Sequence, residues 1–134
     1  MTTTHDDLAS VRYIVDDVPA AVEFYTTHLG FTVRQSAGTA FADIVRGPLR
    51  LLVSGPASSG ARATPDDLDA PGRNRIHLVV PDLRAEIDRL TAAGLTVPHD
   101  VVSGPGGQQV LITDPAGNLV ELFQASGPPD PSPL

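Results

Sequence analysis

Proton transfer near neutral pH calls for a histidine or a carboxylate, and His77 stands in a promising place for it. The segment Arg75-Ile76-His77-Leu78-Val79 alternates, so in a strand Arg75, His77 and Val79 share one face. An imidazole beside a carboxylate suits general acid–base work, while packing or a plain hydrogen bond is the competing role. The same alternation groups Ser10, Arg12 and Ile14. Arg12 could hold a carboxylate or enolate, stack on an aromatic ligand, or close an internal salt bridge with Asp43. The other histidines offer less. His28 ends a helix, where a cation meets the negative end of the dipole; His99 starts a strand and is expected to be exposed; His5 lies near the N-terminus. There is no cysteine, and all nine basic residues are arginine. Thiolate chemistry, disulfides and lysine Schiff bases are thereby excluded. Gly104-Pro105-Gly106-Gly107 lacks a following Lys-Ser/Thr and reads as a hairpin turn, not a phosphate loop. Asp66, Asp67 and Asp69 read as a solvated connector.

The elements that must position these groups are written twice. Val15-Asp16-Asp17-Val18-Pro19-Ala20-Ala21-Val22-Glu23-Phe24-Tyr25 is echoed by Val80-Pro81-Asp82-Leu83-Arg84-Ala85-Glu86-Ile87-Asp88-Arg89-Leu90 at an offset of 65 residues, and Gly30 by Gly94 at 64. Such a repeat predicts two like modules. In the first, a strand at 9–16 leads to a helix capped by Asp17 or Asp16, with Pro19 in its first turn. Val22, Tyr25 and Leu29 recur at helical spacing, and Phe24-Tyr25 packs the helix on its sheet before Gly30 stops it. Strands are predicted at 31–35, 39–46 and 49–54. The second module predicts a strand at 75–80, a helix at 83–93, and strands at 96–102, 108–113 and 119–124. Asp114-Pro115-Ala116-Gly117-Asn118 is a turn between the last two. The expected division is a first module over 8–54, an aperiodic connector over 55–72, a second module over 73–125 and a frayed, proline-rich tail over 126–134.

Bulk properties narrow the partners. The net charge of −7 argues against nucleic acid and anionic membrane surfaces. No apolar run is long enough to span a bilayer, and the first residues lack a signal-peptide pattern, so a cytoplasmic protein is expected. Arginine without lysine, together with abundant Ala, Gly, Pro and Asp, points to a GC-rich bacterial genome.

Asp17…Phe24-Tyr25…Leu29-Gly30-Phe31, Val80-Pro81-Asp82-Leu83…Gly94 and Asp114-Pro115-Ala116-Gly117-Asn118-Leu119-Val120-Glu121-Leu122-Phe123 occur in the order seen in one family. Over about residues 9–124 the chain resembles the vicinal oxygen chelate superfamily of glyoxalase I, bleomycin-resistance proteins, fosfomycin-resistance enzymes and extradiol dioxygenases. The resemblance implies an α+β fold of two pseudo-twofold βαβββ modules whose curled sheets form a cup, usually completed in a homodimer. Members with a metal place one ligand on the first and last strand of each module. Seven residues before the shared aspartates, the first-strand positions are Ser10 and Arg75; the last-strand position after the Asp114–Asn118 turn is Glu121, and laying Leu119–Phe123 on Leu49–Val53 puts Leu51 opposite it. Leucine and arginine cannot ligate a divalent ion and serine does so weakly, so a metal-free cup without a cofactor is expected. Arg75 should pair with Glu121 across its floor.

The cup lining implied by alternation is Ser10, Arg12, Ile14, Phe41, Asp43, Leu51, Arg75, His77, Val79, Gln109, Leu111, Thr113, Glu121 and Phe123. Two readings follow from it. In one, the protein sequesters a small organic molecule, of antibiotic or natural-product type, in cups at a dimer interface. In the other it is a metal-free isomerase, epimerase or cyclase in which Glu121 or His77 moves a proton and Arg12 or Arg75 stabilises an oxyanion. A metal-dependent lyase or dioxygenase ranks third. Glu121 is either a general base, a ligand-orienting acceptor, or half of a structural ion pair.

Overall fold

A computed structural model describes residues 8–63, 75–97 and 100–126. The element order is β1 (Ala9–Ile14), α1 (Val18–His28), β2 (Thr32–Ser36), β3 (Phe41–Arg46), β4 (Leu49–Ser54), α2 (Ser59–Arg62), β5 (Arg75–Val79), α3 (Leu83–Ala92), β6 (Val102–Gly104), β7 (Gly107–Thr113) and β8 (Leu119–Ala125). The fold class is α+β, built of two similar βαβββ modules. Each carries a four-stranded mixed sheet, ordered β1-β4-β3-β2 in one and β5-β8-β7-β6 in the other. In both, the first strand runs parallel to the last and the remaining pairings are antiparallel.

The repeated helix signals act alike in both modules. Asp17 caps α1 by accepting from the Ala20 amide at 3.1 Å, and Asp82 caps α3 by accepting from Ala85 at 3.0 Å. Gly30 and Gly94 follow the helices at φ +74° and +91°, a left-handed conformation that a side chain would strain.

The chain divides into two compact units. The first comprises residues 1–72 and 114–118, the second 73–113 and 119–134. In the first unit, Tyr13, Ala42, Ile44, Leu51 and Val53 are buried with Val18, Ala21, Phe24 and Tyr25 of α1. The Asp114–Asn118 turn belongs to this unit. Asp114 accepts from the Tyr25 hydroxyl at 2.9 Å and from the amides of Ala116 and Asn118, and the Asn118 side-chain amide donates to the Ile14 carbonyl at 3.1 Å. In the second unit, Ile76, Leu78, Val110, Ile112, Val120 and Leu122 bury one sheet face with Leu83, Ile87 and Leu90 of α3.

Some expected elements differ. The segment after Gly55 is not wholly irregular: Ser58 accepts from the Ala61 amide at 3.1 Å and starts the single turn of α2. The strand expected at 96–102 is confined to Val102–Gly104, because only the pairs Val102–Gln109, Ser103–Gln108 and Gly104–Gly107 tie it to β7. The features expected at His5, at Asp66, Asp67 and Asp69, at His99 and in the tail beyond Ser126 lie outside the described residues.

Candidate functional site

In the second unit, strand register sets three rows of side chains on the sheet face away from α3. They are Arg75–Leu119–Thr113, His77–Glu121–Leu111 and Val79–Phe123–Gln109. Glu121 stands at the centre and is only 6 % exposed. Its Oε1 accepts from Arg75 Nε at 2.9 Å, the pairing expected from sequence. Its Oε2 lies 3.4 Å from His77 Nε2, an ion pair when the imidazole is protonated. The two basic side chains are about half exposed, at 41 % for Arg75 and 48 % for His77, so solvent reaches the pair from their side. The His77 ring rests on Phe123, with centroids 4.9 Å apart. Next to these rows, Asp100, Val102, Gln109, Val110 and Leu111 line a cavity of about 300 Å³. Val79 and Val102 expose 60 % and 57 % of their surface, an apolar margin that water covers poorly. Asp100 and Val102 were not among the expected lining residues: both lie at the end of the strand expected over 96–102, of which only Val102 is in β6.

In the first unit the rows on the face away from α1 are Ser10–Arg50–Val45, Arg12–Leu52–Asp43–Gln35 and Ile14–Ser54–Phe41. Ser10, Arg12, Ile14, Phe41 and Asp43 therefore share a face. Leu51 does not, which corrects the expectation that it lines the same surface. It pairs with Val11 and Ile44 and is fully buried on the α1 side. The slip is one residue: Ser10 pairs with Arg50 as Arg75 pairs with Leu119, so the counterpart of Glu121 is Leu52. A shift of one residue moves a strand side chain to the opposite face.

The ion pair weighed between Arg12 and Asp43 is also absent. Leu52 separates them, two strand spacings of roughly 4.8 Å each. Arg50, on the strand next to Asp43, donates from Nε to Asp43 Oδ2 at 3.0 Å instead. Arg12 Nη1 donates to Ser54 Oγ at 2.9 Å. Asp43 is wholly buried and its Oδ1 accepts no hydrogen bond, a condition that costs about 1–3 kcal/mol when left uncompensated. Arg50 and Ser54 were missed by sequence reasoning, although correct register would have placed both. His28 ends α1, as expected for a helix-terminal role, with its ring 5.8 Å from Phe24.

The donors fit a divalent cation poorly. In the second unit one carboxylate is committed to a guanidinium, a permanent cation that cannot itself ligate a metal ion. In the first unit the corresponding positions hold Ser10 and Leu52. Among the described residues no group of three or more histidines and carboxylates could hold a metal ion. No helix among them is long and apolar enough to cross a membrane.

Comparison with known proteins agrees with this architecture. A lactoylglutathione lyase from Agrobacterium tumefaciens superposes with TM-score 0.72 at 24 % identity, over 87 % of this chain and 92 % of that one. TnmS3, an antibiotic binding protein from Streptomyces sp. CB03234, superposes with TM-score 0.69 at 22 % identity, over 94 % and 99 %. A superfamily member from Sphaerobacter thermophilus gives TM-score 0.67 at 22 % identity, over 87 % and 95 %. No curated protein matches the sequence. The family model of the Glyoxalase/Bleomycin resistance protein/Dioxygenase superfamily matches residues 7–122, and the chain belongs to that superfamily.

Proposed function

We propose that this protein binds a small organic ligand of antibiotic or natural-product type, without a metal, on the sheet faces that its helices leave open, and that it does so as a homodimer in the cytoplasm. The observation that carries the reading is the engagement of Glu121. Both of its oxygens face basic side chains, Arg75 at 2.9 Å and His77 at 3.4 Å, at a position that metal-binding relatives give to a ligand. Around it the surface is apolar with a few polar groups (Phe123, Leu111, Val79, Val102 and Gln109), the composition of a small-molecule site. The likeness to TnmS3 supports an antibiotic-like ligand; at 22 % identity it supports the fold first.

The His77–Glu121 contact favours a second reading. A histidine beside a nearly buried carboxylate is equipped to shuttle a proton, as a metal-free isomerase, epimerase or cyclase requires. Thermal shifts against aromatic antibiotics and metabolites separate the two readings. A hit should raise the melting temperature, whereas Mg²⁺, Mn²⁺, Zn²⁺ and Ni²⁺ should not. If the ligand is recovered intact and binding survives Glu121→Gln and His77→Ala, sequestration stands. Turnover lost in both variants with binding retained establishes catalysis. A saturable stabilisation by micromolar metal overturns the metal-free reading, and sedimentation of a monomer overturns the dimer.

A further inference from the structure

We infer that the first unit's sheet face away from α1 seats the carboxylate of an apolar, hydroxyl-bearing acid, held by Arg12 and Arg50. This rests on the ligand-binding reading above and names a ligand class and a subsite for it. The two arginines stand on adjacent parallel strands, staggered by two residues, since Arg12 pairs with Leu52 and Arg50 with Ser10. Neighbouring strands are roughly 4.8 Å apart, so the long side chains can converge on one anion.

Each guanidinium is held from beneath by a wholly buried group and keeps further donors. Arg50 uses Nε on Asp43, and Arg12 uses one Nη on Ser54. The anchor of Arg12 is a neutral hydroxyl, and among the described residues no carboxylate forms an ion pair with it. In a chain of net charge −7, an exposed arginine without a carboxylate partner is a natural seat for an incoming anion.

Gly60 of α2 fixes the approach. A Cβ there would lie 2.8 Å from Arg12 Cζ and 2.9 Å from its Cδ, so a side chain at this position would push the flexible end of Arg12 aside. Beside Arg50, the buried Asp43 Oδ1 has no donor. A hydroxyl close to the ligand carboxylate supplies one. Ile14, Leu52, Phe41 and Val45 give the apolar body a partly buried floor.

The test uses the whole chain, labelled with ¹⁵N, titrated with benzoate, 3-hydroxybenzoate, benzamide and inorganic phosphate. The amides of Arg12, Leu52 and Ser54 should shift with both acids below about 10 mM, and the hydroxyl should tighten binding by about threefold or more. Benzamide and phosphate should leave them unmoved. Arg12→Gln, at an exposed position, should keep the melting temperature and weaken 3-hydroxybenzoate by about tenfold, while Arg12→Lys should lose less. Gly60→Ala should weaken it too, by displacing Arg12. Equal responses to benzoate and benzamide, equal responses to benzoate and phosphate, no gain from the hydroxyl, or no shift at these amides up to about 10 mM would each overturn the inference. A ligand from the antibiotic panel that binds while the acids do not would overturn it and leave the proposed function standing.

Discussion

Glu121 lies between two basic side chains, Arg75 on Oε1 and His77 on Oε2. A carboxylate nearly sealed from water needs partners, and Arg75 and His77 supply them from the strand alongside. Arg75→Ala would strip Oε1 of its donor and leave the carboxylate to His77 and solvent. Because the guanidinium is 41 % exposed, the expected loss is only about 1 kcal/mol by urea denaturation. Glu121→Gln removes the charge but keeps an acceptor for Arg75, so it should destabilise less than Arg75→Ala. A larger loss for Glu121→Gln would show that the ion pair contributes more than geometry and exposure allow. The proton-transfer and binding readings share this residue and differ only in what its oxygens do when a ligand arrives.

At the scale of elements, the helices and their caps were legible because their signals are local. Asp17 and Asp82 cap, Gly30 and Gly94 terminate, and the apolar positions between them follow the helical period. Strand faces were legible wherever a chain landmark fixed the register, as it did for Ser10, Arg75 and Glu121. On β4 nothing local fixes it: Leu49, Leu51, Leu52 and Val53 are apolar on both faces, so alternation cannot choose between Leu51 and Leu52. The Asp43–Arg50 pair was invisible for the same reason, being a contact between strands whose register was undetermined.

The two leucines offer a direct check of register. Leu51→Ala should cost about 2–5 kcal/mol, as a fully buried side chain leaving a cavity under α1. Leu52→Ala, at a half-buried position, should cost about 1 kcal/mol and act instead on ligand affinity. Comparable losses from the two would contradict the assignment of faces.

At the scale of the whole molecule, the Asp114–Asn118 turn matters beyond the hairpin it closes, because it belongs to the first unit although the strands on either side of it belong to the second. Its tie is the Tyr25 hydroxyl, fully buried and donating to Asp114. Burial, reinforced by the Asp114 charge, pushes the Tyr25 hydroxyl far above its ordinary value. In the unfolded chain that tyrosine ionises near its usual pKa of about 10, while in the folded protein it stays neutral. Above that pH the unfolded state binds fewer protons than the native state, so stability falls as pH rises and is fully present below about 10. The loss contributed by this one group approaches about 1.4 kcal/mol per pH unit. Tyr25→Phe removes the titration together with the hydrogen bond. It should lower stability at pH 7 by about 1 kcal/mol, since Asp114 retains Asn118 as a partner, and flatten the decline between about pH 10 and 11.5. Urea denaturation of both proteins across that range would decide it: parallel alkaline curves would mean that Tyr25 is not the group whose ionisation the fold resists.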